Sequence, residues 1–193
     1  MINLTQFKHE ARILGIDDGP FIRGAPFTPI VITVMRISGY IDGFITTEVE
    51  TDGKDSAGTV KDAIDESRFG EQARAVLSDG ACLAGFNVLD IGYLSNELGI
   101  PVVTCSDEAP DHASVERALR NNFTDWEERL HLISRWEPET IELDDGPVYI
   151  RYEGIPSDKA KWLVRKMTIR GRTPEPIRIS HMIASEVYRK KGA

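Results

Sequence analysis

The segment ARILGIDDG, residues 11–19, opens the pattern that decides the fold. Its run Ala11–Asp17 is short and apolar and ends in an acid, which is typical of a buried strand. Two runs rich in β-branched residues follow, Pro29–Ser38 and Tyr40–Glu50, and a turn at Gly39 would join them in a hairpin. The chain therefore begins with strands that no helix separates.

After residue 50 the pattern changes to alternating helices and strands. Apolar spacing predicts a helix over Ser56–Ser67, capped by Asp55 or Ser56, and then a strand that ends at Asp79. The later predicted elements are a helix over Phe86–Leu98, a strand over Pro101–Cys105, helices over Asp111–Asn121 and Thr124–Ser134, a hairpin around Asp144–Pro147, a helix over Ser157–Thr168 capped by Ser157, and a helix over Ile177–Lys191. This order predicts an α/β fold, a mixed sheet with helices on both faces, as in ribonuclease H-like folds.

Length and composition describe an ordinary globular chain. The 193 residues fit a single domain over residues 1–193, with 41% hydrophobic and 28% charged residues. No apolar run reaches the ~18–20 residues of a membrane span, and the amino-terminal segment lacks the pattern of a signal peptide. Cys82 and Cys105 are too few for a disulfide framework or a zinc cluster. We therefore expect a cytoplasmic protein with no membrane partner.

Charge is distributed unevenly along the chain. The formal net charge is −8, which by itself argues against a nucleic-acid partner. Residues 159–193, however, carry a net charge of +8, while residues 1–158 carry −16. This basic tail either binds nucleic acid or forms a solvated helix face. Pairing of the tail with the acidic body of a second copy would give a homodimer.

Two acidic residues stand where predicted strands end: Asp17 in GIDDG and Asp79 in SDG. If the two strands are parallel neighbours about 4.8 Å apart, these carboxylates meet where open α/β sheets bind ligands. Carboxylates that close repel each other unless one is protonated or a cation lies between them. Mg²⁺ accepts one or two carboxylates together with waters and phosphate oxygens. The pair therefore favours metal-assisted phosphodiester hydrolysis, although each Asp-Gly taken alone is typical of a turn.

Four motifs carry a resemblance to a known family. They are GIDDGPF at residues 15–21, SDGACLAGFNVLDI at residues 78–91, GIPVVT at residues 99–104 and PEPIRISHMIAS at residues 174–185. With them, the chain resembles an archaeal family related to endonuclease V, whose members are termed endonuclease dU. The resemblance spans most of the chain, and the last motif is its most specific part.

The resemblance implies roles for individual residues. Asp17 resembles the first catalytic carboxylate of endonuclease V, Asp79 the carboxylate of its Asp-Gly motif, and His181 the residue near its carboxyl end that supports metal binding. Asp55 is the candidate third carboxylate and metal ligand, with Asp52 in reserve, although a helix N-cap explains Asp55 equally well. The implied cofactor is Mg²⁺ or Mn²⁺.

The chain also departs from endonuclease V in two places that concern base recognition. The Tyr-Ile-Pro-Gly wedge is absent, and Cys105-Ser106-Asp107 replaces a pair of lysines. Both departures fit the family's preference for DNA that contains a different damaged base, deoxyuridine, over deoxyinosine. A damaged base would be taken out of the stack to be read. The candidates for stacking on it are Phe21, Phe27 and Phe86, and the candidates for phosphate contacts are Arg170, Arg172 and Arg178.

Two function classes follow. The first is a Mg²⁺-dependent endonuclease, with Asp17, Asp55, Asp79 and His181 as its catalytic residues. The second is a non-catalytic nucleic-acid-binding module on the same fold. A sugar-kinase-like or actin-like ATPase also opens with a Gly-Ile-Asp strand, but it needs two such domains, for which 193 residues leave no room. A junction resolvase lacks the PEPIRISH ending.

Overall fold

The computed structural model describes residues 8–20 and 25–191, with side chains through Glu186. The strands are β1 (Arg12–Asp18), β2 (Phe27–Arg36), β3 (Ile41–Glu50), β4 (Ala73–Asp79), β5 (Cys82–Leu83), β6 (Asn87–Val88), β7 (Val102–Ser106), β8 (Glu139–Leu143) and β9 (Gly146–Glu153). The helices are α1 (Ser56–Asp65), α2 (Ile91–Leu98), α3 (His112–Asn122), α4 (Trp126–Ile133), α5 (Ser157–Met167) and α6 (Glu175–Lys191).

Within the described residues, seven strands form one mixed sheet in the order β3-β2-β1-β4-β7-β9-β8, and β5 and β6 pair separately as a short ribbon. β1, β4 and β7 run parallel at the centre. The β2–β3 and β8–β9 hairpins extend the sheet in antiparallel pairing on either side. The predicted α/β fold with a mixed sheet is therefore confirmed, and the parallel centre brings the ends of β1, β4 and β7 to one edge.

Helices cover both faces of the sheet, as predicted. On one face α1 and α2 pack against the centre through residues such as Ile16, Val60 and Leu94. On the other face α5 and α6 do so through residues such as Leu163 and Ile177. All five side chains are essentially inaccessible to water. Burial of each such side chain favours folding by about 1.5–3 kcal/mol.

A third, smaller cluster joins α3 and α4 to the ribbon. Val88, Leu119 and Ile133 form its buried centre. Phe86 and Phe123 meet edge to face beside it, with ring centroids 5.6 Å apart. The cluster packs the ribbon against the two helices.

The prediction of a helix over Phe86–Leu98 is wrong for its first five residues. Asn87–Val88 forms strand β6, and helix α2 begins only at Ile91. The cause is a strong helix start inside the predicted segment, because the Asp90 carboxylate accepts a hydrogen bond of 2.9 Å from the backbone N–H of Tyr93.

The starts of α5 and α6 also differ from prediction. Ser157 does not cap α5, because its hydroxyl donates to the Glu139 carboxylate at 2.8 Å and Pro156 occupies the cap position. Helix α6 begins at Glu175, two residues before the predicted start, because Pro176 fits the first turn of a helix, where its missing N–H has no partner. None of the helices within the described residues is long and apolar enough to cross a membrane.

Candidate active site

Asp17 and Asp79 lie side by side at the carboxyl ends of two parallel strands. Ile16 of β1 is in register with Ser78 of β4, so the two aspartates occupy the next positions. Strand alternation turns both toward the face that carries α5 and α6, since Leu77 packs on that face while Ile16 packs on the opposite one. Asp17 is buried at 4% exposure, whereas Asp79 is accessible to solvent at the sheet edge.

Both carboxyls are shifted toward the protonated form. Burial, reinforced by the negative charge of Asp79, raises the pKa of Asp17 to about 7. Desolvation by the surrounding protein raises the pKa of Asp79 to about 6, with further contributions from Asp18 and Asp107. The two carboxyls are therefore harder to ionise than isolated side chains, and a nearby cation would favour their charged forms.

His181 of α6 contacts the buried member of the pair. Its Nδ1 lies 2.9 Å from Asp17 Oδ2, and its side chain is 65% exposed. The contact lowers the pKa of Asp17, against the effect of burial. With Nδ1–H donating to the carboxylate, Nε2 is the ring nitrogen that takes no part in this contact.

The close packing of α6 on β1 is what brings His181 to Asp17. A Cβ atom on Gly15 would lie 2.3 Å from the carbonyl carbon of Pro176, so only glycine allows this approach. The buried Ser180 hydroxyl donates to the Gly15 carbonyl at 2.8 Å. It also accepts from the Thr33 N–H at 3.0 Å and from the Thr33 hydroxyl at 2.7 Å. Sequence reasoning missed Ser180 and Gly15, although ISH in the last motif placed Ser180 directly before His181.

Asp18 and Asp52 hold the tip of the β5–β6 ribbon. The Asp18 carboxylate accepts from the Ala84 N–H, and the Asp52 carboxylate accepts from the Phe86 N–H at 2.8 Å. The Asp52 N–H donates to the Ala84 carbonyl at 2.8 Å. Asp52 and Ala84 both adopt left-handed backbone conformations, with φ of +57° and +50°. The ribbon is thus positioned by a residue adjacent to Asp17.

Asp55 lies in the turn between β3 and α1. It occupies the N-cap position of α1 but makes no capping hydrogen bond. Its carboxylate instead accepts from the Glu50 N–H at 3.2 Å and from the Asn87 side-chain amide at 2.6 Å. These bonds tie the turn to the ribbon. Of the four predicted catalytic residues, Asp17, Asp79 and His181 thus lie together. Asp55 instead binds Glu50 and Asn87.

Asp107 is a further acidic residue that sequence reasoning missed. It follows β7 directly, as Asp79 ends β4, and its charge contributes to the raised pKa of Asp79. The sequence contained the signal for it, because an acid also directly follows the third parallel strand. Over residues 8–20 and 25–191, however, no group of three or more His, Cys, Asp or Glu side chains is arranged to hold a metal ion.

Of the three predicted phosphate-binding arginines, two are paired with acids, and Arg172 lies at this edge through its contact with Asp107. Arg172 donates to the Asp107 carboxylate at 2.9 Å. Arg178 makes two hydrogen bonds to Glu175, which raise the pKa of the guanidinium. Arg170 is exposed in the loop between α5 and α6, and its charge lowers the pKa of Glu175.

A cavity of about 640 Å³ opens beside Asp79. It lies between the ends of β4 and β7, the ribbon and helices α3 and α4, and Phe86 forms part of its wall. Phe27, another predicted stacking residue, is 50% exposed at the start of β2. Phe21 lies outside the described residues.

Sequence comparison identifies close relatives of this chain. Residues 9–188 match the sequence model of the family described as endonuclease dU. A UPF0215 protein of Methanothermobacter thermautotrophicus is 40% identical over 186 residues, covering 96% of this chain and 91% of the relative. The matched region includes every residue of the candidate site.

Structural comparison gives the same grouping. A crystal structure of a protein from Archaeoglobus fulgidus superposes with a TM-score of 0.81 and 34% identity, covering 91% of this chain and 97% of that chain. Endonuclease V of Ciona intestinalis, solved with a 24mer DNA containing inosine, superposes with a TM-score of 0.64 and 12% identity. The superposition covers 98% of this chain and 89% of that chain. The fold is thus that of endonuclease V, and the ribonuclease H-like assignment is confirmed.

Proposed function

Because this chain belongs to the endonuclease dU family, we propose that it is a metal-dependent endonuclease that hydrolyses a phosphodiester bond near a deaminated base in DNA. Deoxyuridine is the first substrate to test and deoxyinosine the second. One observation carries the proposal: Asp17 and Asp79 stand together at the ends of adjacent parallel strands, with His181 in contact with Asp17.

The chemistry of the two carboxylates fits a divalent cation. Each pKa is raised in part by neighbouring acidic charges, Asp79 acting on Asp17 and Asp18 on Asp79, and Mg²⁺ or Mn²⁺ would offset this repulsion. Asp17 and Asp79 would hold the ion, with water and a phosphate oxygen completing its coordination. When bound, such an ion supplies Lewis-acid polarisation of the scissile phosphate. Whether Asp55 adds a third carboxylate stays a prediction.

The protein side chains supply positioning and proton transfer. Asp17 holds the His181 ring through Nδ1, which leaves Nε2 exposed at the strand ends. From there Nε2 can take the proton of the attacking water or return one to the leaving oxygen. The water oxygen bonds to phosphorus as one phosphorus–oxygen ester bond breaks, and the leaving oxygen acquires the proton.

DNA is the proposed partner, and the base is proposed to be read outside the helix. The Ciona endonuclease V was solved with inosine-containing DNA, and in this chain the cavity beside Asp79 would receive an extruded base. Arg170, together with Arg172 and Arg178, would contact phosphates on the same side.

The test is cleavage of labelled oligonucleotides that carry deoxyuridine, deoxyinosine or neither. We expect incision of one modified strand with Mg²⁺ or Mn²⁺ and no incision with EDTA. Asp79→Asn, which keeps the shape of the side chain, should lower the rate at least about 10²-fold, as should His181→Ala. Asp62→Asn, on exposed α1, is the matched control and should leave the rate unchanged.

A non-catalytic DNA-binding module is the second candidate. The observation that favours it is the lack, within the described part of the chain, of three clustered metal-ligating side chains. It requires DNA binding by the wild-type protein without incision under any divalent cation. Binding that persists in Asp79→Asn while incision disappears would instead support the nuclease.

A further inference from the structure

The cavity beside Asp79 contains a buried cation that the proposed hydrolysis does not use. Arg151 of β9 lines it, together with Asp79, Cys82, Phe86 and Ser106. Arg151 is 8% exposed, and desolvation lowers the pKa of its guanidinium. A buried charge of this kind needs hydrogen-bond acceptors, because removal from water is unfavourable for an ion without partners.

The hydrogen bonds of Arg151 are incomplete. Its Nε donates to the Trp136 carbonyl at 3.1 Å, and its two terminal nitrogens make no hydrogen bond within the described residues. Arg129, equally buried, provides the contrast. Its Nε donates to Asp125 at 3.0 Å, and one terminal nitrogen donates to the carbonyls of Gly53 and Phe86. Arg129 is a structural residue, whereas Arg151 has donors available to an occupant of the cavity.

The charge of the cavity indicates what kind of occupant fits. Among the described residues, four acidic ones line it: Asp79, Asp107, Glu108 and Asp111. They would repel a phosphate group, which makes Arg151 a poor phosphate-binding residue despite its charge. The suitable occupant is a neutral, flat group that presents acceptor oxygens to the guanidinium and a ring face to Phe86.

We propose that Arg151 is a specificity-determining residue that donates a hydrogen bond to the carbonyl oxygen created by deamination of the extruded base. This inference rests on the proposed function and names the feature of the substrate that is read. Deamination replaces an exocyclic amino group, which is a donor, with a carbonyl oxygen, which is an acceptor. A guanidinium has donors only, so it pairs with uracil O4 and faces the cytosine amino group donor to donor. Arg151 therefore selects the damaged base and rejects its parent.

The first experiment needs only the wild-type protein. Binding is measured by fluorescence anisotropy in EDTA, on duplexes that carry at one position deoxyuridine, deoxycytidine or the deoxynucleoside of 2-pyrimidinone, which has neither substituent at C4. We expect the duplex with deoxyuridine to bind about 10- to 100-fold more tightly than the other two, the range for a hydrogen bond to a charged group.

The second experiment repeats the series with Arg151→Met, which keeps an unbranched side chain and removes the donors. The preference for deoxyuridine over 2-pyrimidinone should fall to within about 2-fold, which closes a double-mutant cycle on this contact. Arg151→Lys retains a donor and should keep part of the preference. Arg74→Met, at the opposite end of β4, is the matched control and should retain the full preference. Thermal melting confirms that each variant is folded.

The outcomes separate this inference from the proposed function. If wild-type protein binds all three duplexes alike yet incises the one with deoxyuridine in Mg²⁺, the nuclease stands and the role of Arg151 is wrong. The role of Arg151 is also wrong if Arg151→Met is folded and keeps the wild-type preference. If Arg151→Met does not fold, the wild-type series decides: equal binding of deoxyuridine and 2-pyrimidinone would overturn the role of Arg151. If wild-type protein neither prefers nor incises modified DNA, both proposals fail.

Discussion

Burial and the neighbouring charge of Asp79 disfavour the ionised form of Asp17 in the folded protein. The free energy of unfolding therefore depends on pH. In the unfolded chain the carboxyl titrates near its ordinary value of 3.8, whereas in the folded protein its pKa is about 7. Between these values the folded state binds more protons than the unfolded state, so its stability falls as the pH rises through that window. We expect the metal-free protein to be less stable at about pH 8 than at about pH 5, as measured by urea unfolding in EDTA.

The double variant Asp17→Asn/Asp79→Asn is the control for this pH dependence. It lacks both groups with raised pKa, so its loss of stability between the two pH values should be smaller than that of the wild type. Mg²⁺ should restore stability to the wild type more at the higher pH and have little effect on the variant. An unchanged pH dependence in the variant would show that other groups cause it.

Ser180 has a structural role that acts directly on the site. Its hydroxyl satisfies the Gly15 carbonyl and the Thr33 N–H in a fully buried position. Ser180→Ala removes these hydrogen bonds from a buried position and should lower the free energy of unfolding by about 1–3 kcal/mol. Because His181 is the next residue, incision should slow as well.

The matched control for Ser180 is Ser185→Ala, the same substitution in the same helix at a partly exposed position. It should change stability by less than about 0.5 kcal/mol. Chemical denaturation of both variants provides the measurement. Equal losses in the two would argue that helix α6 tolerates no alanine at either position, and the specific role of Ser180 would be refuted.

Site residues could be predicted from the sequence where they lie at the end of a predicted strand. Asp17 and Asp79 were found because parallel strands bring their carboxyl ends to one edge, and Asp107 would have been found by the same reasoning. Gly15 and Ser180 could not be predicted. Their roles depend on how closely α6 approaches β1, a distance that hydrophobic spacing does not contain.

Among the elements, the β5–β6 ribbon depends most on single side chains. Asp52 adopts a left-handed backbone and binds the tip of the ribbon through both its carboxylate and its N–H. Asp52→Ala should destabilise the protein by about 1–3 kcal/mol, because it removes the bond to Phe86 N–H and places alanine at positive φ. Asp52→Asn keeps an acceptor and tolerates this backbone, so it should stay within about 0.5 kcal/mol of the wild type.

Hydrogen exchange at the Phe86 amide would localise that effect. Protection should fall in Asp52→Ala and persist in Asp52→Asn. Loss of protection in both variants would mean that the negative charge, rather than the hydrogen bond, holds the ribbon. Incision by Asp52→Asn also tests Asp52 as the reserve third carboxylate, because this variant removes the charge while leaving the ribbon in place.

The ribbon is also the element where sequence-based prediction failed. Apolar residues over Phe86–Leu98 have helical spacing, but the buried Asn87 side chain accepts from the Ser56 N–H at 3.0 Å and donates to the Glu50 carbonyl at 2.9 Å. These partners lie more than thirty residues away along the chain. Such tertiary bonds override local propensity, and no window of neighbouring residues reveals them.

Across the whole molecule, charge is less separated in space than along the chain. The basic tail, residues 159–193, carries a net charge of +8, yet Arg172 is paired with Asp107 of the acidic body, and Arg178 is paired with Glu175 inside the tail. Each paired arginine contributes less to the field that a DNA phosphate meets. The number of basic residues in the tail therefore overstates the positive charge available to DNA. The net charge of −8 of the whole chain also repels DNA phosphates.

This arrangement predicts a shallow salt dependence of DNA binding. Three phosphate contacts would give a slope of log K against log salt of about −3, and the pairing of Arg172 and Arg178 with acids should bring it toward about −1.

Arg170 is exposed in the loop between α5 and α6, so Arg170→Gln should reduce the magnitude of the slope by about 1. Arg74→Gln removes the same charge at the opposite end of β4 and should leave the slope unchanged. The measurement is anisotropy of a labelled duplex with the Asp79→Asn variant as background, over about 50 to 200 mM salt. A slope that falls equally in both variants would show that DNA responds to total charge, and the basic tail would lose its assigned role.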